Sequence, residues 1–121
     1  TMKPFVSLVS KLIKRIEVHG NSMAPSYNEG DWLLFYTGPG RWRGKSRFAN
    51  SLIGKVVLIR QSPELLIVKR VLRVISENSD EKKYWVEGDN KLASTDSRNW
   101  GEVASSKIVG VLLFRYHRGS N

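Results

Sequence analysis

Lys69 stands inside the apolar run Leu65-Leu66-Ile67-Val68-Lys69-Arg70-Val71-Leu72, downstream of a serine in the irregular loop Gly20-Asn21-Ser22-Met23-Ala24-Pro25. These two residue types can do chemistry together. Desolvation disfavours an ammonium ion, so a lysine pressed into an apolar wall has its pKa driven down from about 10.4; once neutral, it can take the proton of a serine hydroxyl. The pairing predicts a Ser/Lys hydrolase. Period-two alternation puts Lys69 on the same strand face as Leu65, Ile67 and Val71, with Arg70 on the opposite face. Taken singly, each residue has a plainer reading: Ser22 as a turn serine, Lys69 as an edge lysine whose ammonium snorkels to solvent.

A third segment brings the two together: Val86-Glu87-Gly88-Asp89-Asn90, followed by Ser94-Thr95-Asp96-Ser97-Arg98-Asn99-Trp100-Gly101. With Ser22-Met23-Ala24-Pro25 and Lys69-Arg70 ahead of it, in that order, the chain resembles the type I signal peptidases from about Val18 to Gly110. The resemblance implies Ser22 as nucleophile, Lys69 as general base and Ser94 as a second hydroxyl that hydrogen-bonds and orients the base. It also implies that Asp96 and Arg98 pair and hold their segment against the site. Gly88, Asp89 and Asn90 read as a turn whose side chains satisfy local backbone groups. Pro25 and Met23 are expected at the substrate cleft, Met23 as an apolar wall, with core packing the other reading for that side chain. Acyl transfer also needs donors for an oxyanion, here the Ser22 backbone N–H and one more. Gly20 occupies the place, two residues before the nucleophile, where some members of the family carry a serine.

Compact, anchorless chains of this kind resemble the maturation proteases of nickel-containing superoxide dismutase, which remove a short propeptide. The expected partner is a precursor protein with a cleavable N-terminal peptide. Two rivals deserve statement. The self-cleaving SOS repressors share a Ser/Lys dyad but lack the Gly-Asp-Asn…Asp-Ser-Arg box, and no Ala-Gly or Cys-Gly cleavage site precedes Ser22. A non-enzymatic basic module binding nucleic acid through Arg41-Trp42-Arg43 leaves the three boxes unexplained, so no specific nucleic acid is expected. Spacing gives no support to a Ser-His-Asp triad built from His19 or His117. With two histidines, no cysteine, no P-loop and no dinucleotide-binding glycine motif, neither a metal nor a cofactor is expected.

The elements that must position these residues follow from pattern. A chain of 121 residues can bury a core as one domain without disulfides or metal. Its net charge of +9 predicts attraction to anionic surfaces. No run approaches the roughly 18 to 20 apolar residues of a membrane span. Thr1 ahead of Met2-Lys3 reads as a leftover before a native start, giving the expectation of no anchor and a cytoplasmic location. Phe5, Leu8, Val9, Leu12, Ile13 and Ile16 recur at helical spacing with Lys11, Lys14 and Arg15 opposite. They predict an N-terminal amphipathic helix, residues 1–17, that either contacts an anionic membrane through residues 4–16 or packs on the domain.

From Asp31 onward, β-branched and aromatic runs bounded by Gly, Pro, Asn or Ser predict strands over 32–36, 55–60, 65–75, 83–87 and 108–116. The fold class is mainly β: a compact, barrel-like antiparallel sheet forming a catalytic domain over 18–121. A long loop is expected over 37–54, with Trp42 and Phe48 among Arg41, Arg43, Lys45 and Arg47, and a polar hairpin connection over 76–83.

Overall fold

Four successive apolar residues, Val56 to Ile59, are all buried in a computed structural model of the chain, which describes residues 11–39, 52–76 and 81–119. A strand buried on consecutive residues must be covered on both faces. That strand, β3 (Val56–Ser62), lies within a seven-stranded sheet with β1 (Ile13–Glu17), β2 (Trp32–Tyr36), β4 (Leu65–Ser76), β5 (Lys83–Glu87), β6 (Val103–Ala104) and β7 (Ile108–His117). The order is β1-β2-β7-β3-β4-β5-β6, every pairing is antiparallel, and β1 and β6 are the edges. The architecture is mainly β, as composition and alternation predict.

Alternation divides the apolar side chains into two cores. Val57 and Ile59 pack with Val71, Tyr84, Val86 and Ile108 on one face. Val56 and Leu58 pack with Leu33, Phe35, Val18 and Met23 on the other. The second core is closed by the loop between β1 and β2, whose Val18 and Met23 are buried in it. The first is bordered by the short helix α1 (Ser97–Trp100), which contributes Trp100. Each such side chain stabilises the fold by about 1.5–3 kcal/mol through lost contact with water.

The predicted N-terminal helix is corrected here. Lys11 and Leu12 are helical, but Ile13–Glu17 is strand, in register with β2 from Ile13 opposite Tyr36 to Glu17 opposite Trp32. Ile13 and Ile16, three apart, imitate a helical face, yet the β-ladder to β2 satisfies their backbone groups and β-branched side chains suit the pleat. The part of the expectation on residues 4–10 lies outside the described residues, as do Arg41, Trp42, Arg43, Lys45, Arg47 and Phe48. Strands β4 and β5 pair as an antiparallel hairpin, the connection expected over 76–83, of which residues 77–80 also lie outside.

Leu33 is fully buried in the second core. Leu33→Ala is expected to lower the unfolding free energy by about 2–5 kcal/mol, read by urea denaturation. A loss within about 0.5 kcal/mol, the range of surface substitutions, would contradict the packing of that face.

Candidate active site

Lys69 lies opposite Val57 in the β3–β4 ladder, between Ile67 and Val71 on the face of the first core, and is 5% exposed. Its Nζ donates to Ser94 Oγ at 3.0 Å. Ser94 Oγ in turn donates to Asp96 Oδ2 at 2.7 Å. A carboxylate can only accept, so the Ser94 proton is committed to Asp96 and its oxygen is left to receive Lys69. That fixes one N–H of the lysine and leaves the remaining positions on nitrogen free to point elsewhere.

Asp96 is fully buried and saturated with donors. Its carboxylate accepts from the backbone N–H of Gly88 (2.9 Å) and of Arg98 (3.1 Å), and from Arg98 Nε and Nη2 (both 3.0 Å). It caps α1, where the Asn99 side chain reciprocates by accepting from the Asp96 N–H at 3.1 Å. Burial alone raises its pKa, but the Arg98 guanidinium, the Ser94 hydroxyl and the backbone N–H groups outweigh that and hold it well below the usual carboxylate range. The expected Asp96–Arg98 pair is therefore formed.

Burial pushes the Lys69 pKa down; the Asp96 charge opposes this and the Arg98 charge adds to it. Arg98 thus does more than hold a segment in place. By lying across both oxygens of Asp96 it offsets part of the negative charge that favours the protonated lysine.

The Gly88-Asp89-Asn90 segment differs from the local turn chemistry expected of it. Asp89 is held bidentately by Arg70, Nε to Oδ1 at 2.9 Å and Nη2 to Oδ2 at 2.7 Å, while Arg70 Nη1 donates to the Gly54 carbonyl at 2.8 Å. That hydrogen-bonded pairing keeps the Asp89 carboxyl below its ordinary range. The Arg70–Asp89 pairing was not anticipated from sequence, although the place of Arg70 on the strand face opposite to that of Lys69 was legible. Asn90 reaches across to the loop of Ser22: its backbone N–H donates to the Ser22 carbonyl at 2.9 Å and its Nδ2 to the Asn21 carbonyl at 3.0 Å.

Gly88 lies between the two halves of the site. A Cβ there would collide with Ser94 Oγ and stand 2.6 Å from both Ser94 Cβ and the Ser22 carbonyl oxygen. Only glycine lets the Ser22 loop close onto the segment that orients Lys69. Ser22 itself is partly exposed, in a tight turn with the Ala24 N–H bonded to the Asn21 carbonyl at 3.1 Å. Pro25 is exposed, after a cis Ala24–Pro25 bond. Of the two readings for Met23, its burial fits core packing: at 1% exposure it lies in the second core, where its flexible apolar chain anchors the loop.

A family model described as Signal peptidase, peptidase S26 matches residues 73–117, a span that holds Gly88, Asp89, Asn90, Ser94, Asp96 and Arg98 but neither Ser22 nor Lys69. The chain is 32% identical over 124 residues to the mitochondrial ATP-independent inner membrane protease subunit 1a of Arabidopsis thaliana, covering 86% of this chain and 70% of that protein. It is 31% identical over 119 residues to the mitochondrial inner membrane protease subunit 2 of Schizosaccharomyces pombe, covering 84% of this chain and 64% of that one.

Removing the Arg98 charge should let Asp96 pull a proton back onto the lysine. In Arg98→Gln, Lys69 is expected to titrate at higher pH than in the wild type, read from the NMR shift of its ε-carbon. An unchanged or lower titration point would refute the compensating role of Arg98.

Proposed function

The chain belongs to the signal peptidase S26 family, and from that premise we propose a serine endopeptidase in which Ser22 is the nucleophile and Lys69 the general base. A serine-type peptidase of the signal-peptidase kind follows from family membership; the dyad and its substrate are our reading. The observation that carries it is the buried lysine, pushed toward neutrality and hydrogen-bonded to Ser94, on a segment that closes through Gly88 and Asn90 onto the carbonyl of Ser22.

In this mechanism the neutral Lys69 amine takes the Ser22 hydroxyl proton as Oγ attacks the scissile carbonyl carbon. The carbonyl electron pair moves onto oxygen, received by the Ser22 backbone N–H and a second donor. The tetrahedral intermediate collapses, the C–N bond breaks, and the Lys69 ammonium returns its proton to the leaving amine. Water then attacks the acyl-enzyme with Lys69 again as base, restoring the Ser22 hydroxyl and releasing the acid. Ser94 keeps the lysine aimed throughout, and Pro25 borders the substrate cleft.

The substrate we propose is a precursor protein that loses an N-terminal extension, with a nickel-containing superoxide dismutase precursor the first to test. Both relatives are named for the mitochondrial inner membrane, which gives no support to a cytoplasmic location. Among the described residues no helix is long and apolar enough to cross a membrane. We propose that the enzyme works at a membrane surface, in keeping with the names of both relatives.

Ser22→Ala is expected to abolish cleavage while the fold is kept, with the new N-terminus of the precursor read by mass spectrometry; retained cleavage would remove Ser22 from the mechanism. Ser94→Ala is expected to slow the reaction without stopping it, because the base remains but loses its orientation.

Since the neutral lysine is the active form, activity at limiting substrate should rise with pH through the lowered Lys69 pKa and then level off. Lys69→Arg should be inactive because a guanidinium does not deprotonate in this range. Lys69→Met should be equally inactive yet at least as stable, an apolar chain replacing a buried amine. Substantial cleavage by the Arg variant would overturn the dyad.

A further inference from the structure

The loop that carries Ser22 is fastened at a second place, through Asp31 and Arg115. Asp31, at its end, is 3% exposed and accepts from three directions. The Asn28 N–H reaches Oδ2 at 2.8 Å, the Gly119 N–H reaches Oδ1 at 2.7 Å, and Arg115 Nη1 reaches Oδ2 at 3.2 Å. The same Arg115 nitrogen donates to the Ser26 carbonyl at 2.9 Å, and its guanidinium lies 5.4 Å from the centre of the Tyr27 ring. Two backbone bonds close the base of the loop, Val18 N–H to the Asp31 carbonyl at 2.8 Å and Gly30 N–H to the Val18 carbonyl at 2.9 Å.

The segment just past β7 therefore lies against the loop. A Cβ at Gly119 would collide with the Glu29 carbonyl oxygen and stand 2.9 Å from the Gly30 carbonyl carbon. Ser26 is where two ion pairs meet. Its carbonyl accepts from Arg115, the partner of Asp31, and its side chain helps hold the carboxyl of Asp89, the partner of Arg70, below its ordinary range. Ser22 precedes this junction by one turn. Met23 gives the loop its depth, but an apolar contact is non-directional. Asn90 holds the near end of the turn at the Asn21 and Ser22 carbonyls, and the bond from a charged donor to Ser26 holds its far end.

On the Ser/Lys reading above, we infer that Arg115, braced by Asp31, is a positioning residue that sets the orientation of the Ser22 turn toward Lys69. It touches neither substrate nor the reacting atoms. Arg115 is 18% exposed in its side chain and Asp31 4%, so the pair is shielded from most of the screening that weakens surface pairs.

The test uses the full chain with a precursor that the wild type cleaves. In Arg115→Met, backbone hydrogen–deuterium exchange across residues 20–31 is expected to quicken about tenfold or more, while residues 56–71 exchange as in the wild type. Per folded molecule, kcat should fall about 10- to 100-fold, the scale of a nucleophile displaced by about an ångström, with KM within about twofold. The rise of activity with pH should keep its position, because Lys69 and its partners are untouched. Arg115→Lys should recover part of kcat, since an ammonium lacks the planar fork. The Asp31→Asn/Arg115→Met double variant should be no slower than Arg115→Met alone, because the two residues act as one unit.

Unchanged exchange over 20–31, or wild-type kcat per folded molecule, overturns the inference. If Arg115→Met does not fold, the lysine and double variants carry the same measurements. If the wild type cleaves no precursor, or Ser22→Ala cleaves equally, the Ser/Lys reading fails instead, and loop exchange alone decides whether Arg115 holds the turn.

Discussion

A negative charge enclosed at zero exposure has to be compensated on every side, and the Asp96 carboxylate is that charge. Each group that compensates it becomes fixed in turn. Ser94 is turned toward the lysine, the backbone at Gly88 is drawn in beneath Ser22, Arg98 is laid across the carboxylate, and a helix of only four residues is capped. Asp96 is the acceptor that these placements share, and its removal would take a directional bond from each of them.

Strand β4 extends the same logic by separating two neighbouring cations. Lys69 turns toward the first core and loses proton affinity by desolvation; Arg70 turns the other way into a bidentate carboxylate and gains it. One peptide unit thus yields a potential base on one face and a permanent cation on the other. The lysine is suited to its place because an ammonium can give up its charge, and the arginine because a guanidinium does not.

Strands β2, β3, β4, β5 and β7 were legible from sequence because each is rich in β-branched or aromatic residues between turn formers: Trp32–Tyr36 and Lys83–Glu87 fall on the predicted residues, and β3, β4 and β7 within two. The burial of Lys69 was legible from alternation, and the Asp96–Arg98 pair from the resemblance to the type I signal peptidases. What escaped notice depends on partners distant in sequence. Ile13 and Ile16 fit a helix until β2 is available to pair with. Asn90 looks like turn chemistry until the Asn21 carbonyl, 69 residues away, is beside it. Met23 was open between cleft and core because nothing local distinguishes an apolar wall from an apolar anchor. Arg115 gave no local signal at all.

That remoteness bears on when the molecule becomes active. The bonds that hold the Ser22 turn come from Asn90 and from Arg115, the latter 89 residues along the chain from its acceptor at Ser26. Contacts of such separation bear a large loop-closure entropy and form late in folding, after local hairpins such as β3–β4 are in place. A chain emerging from the ribosome, or one that has lost its last strand, holds a serine and a lysine but no fixed relation between them. On the Ser/Lys reading, catalytic competence thus depends on the last segments of the chain to be made as much as on the dyad itself.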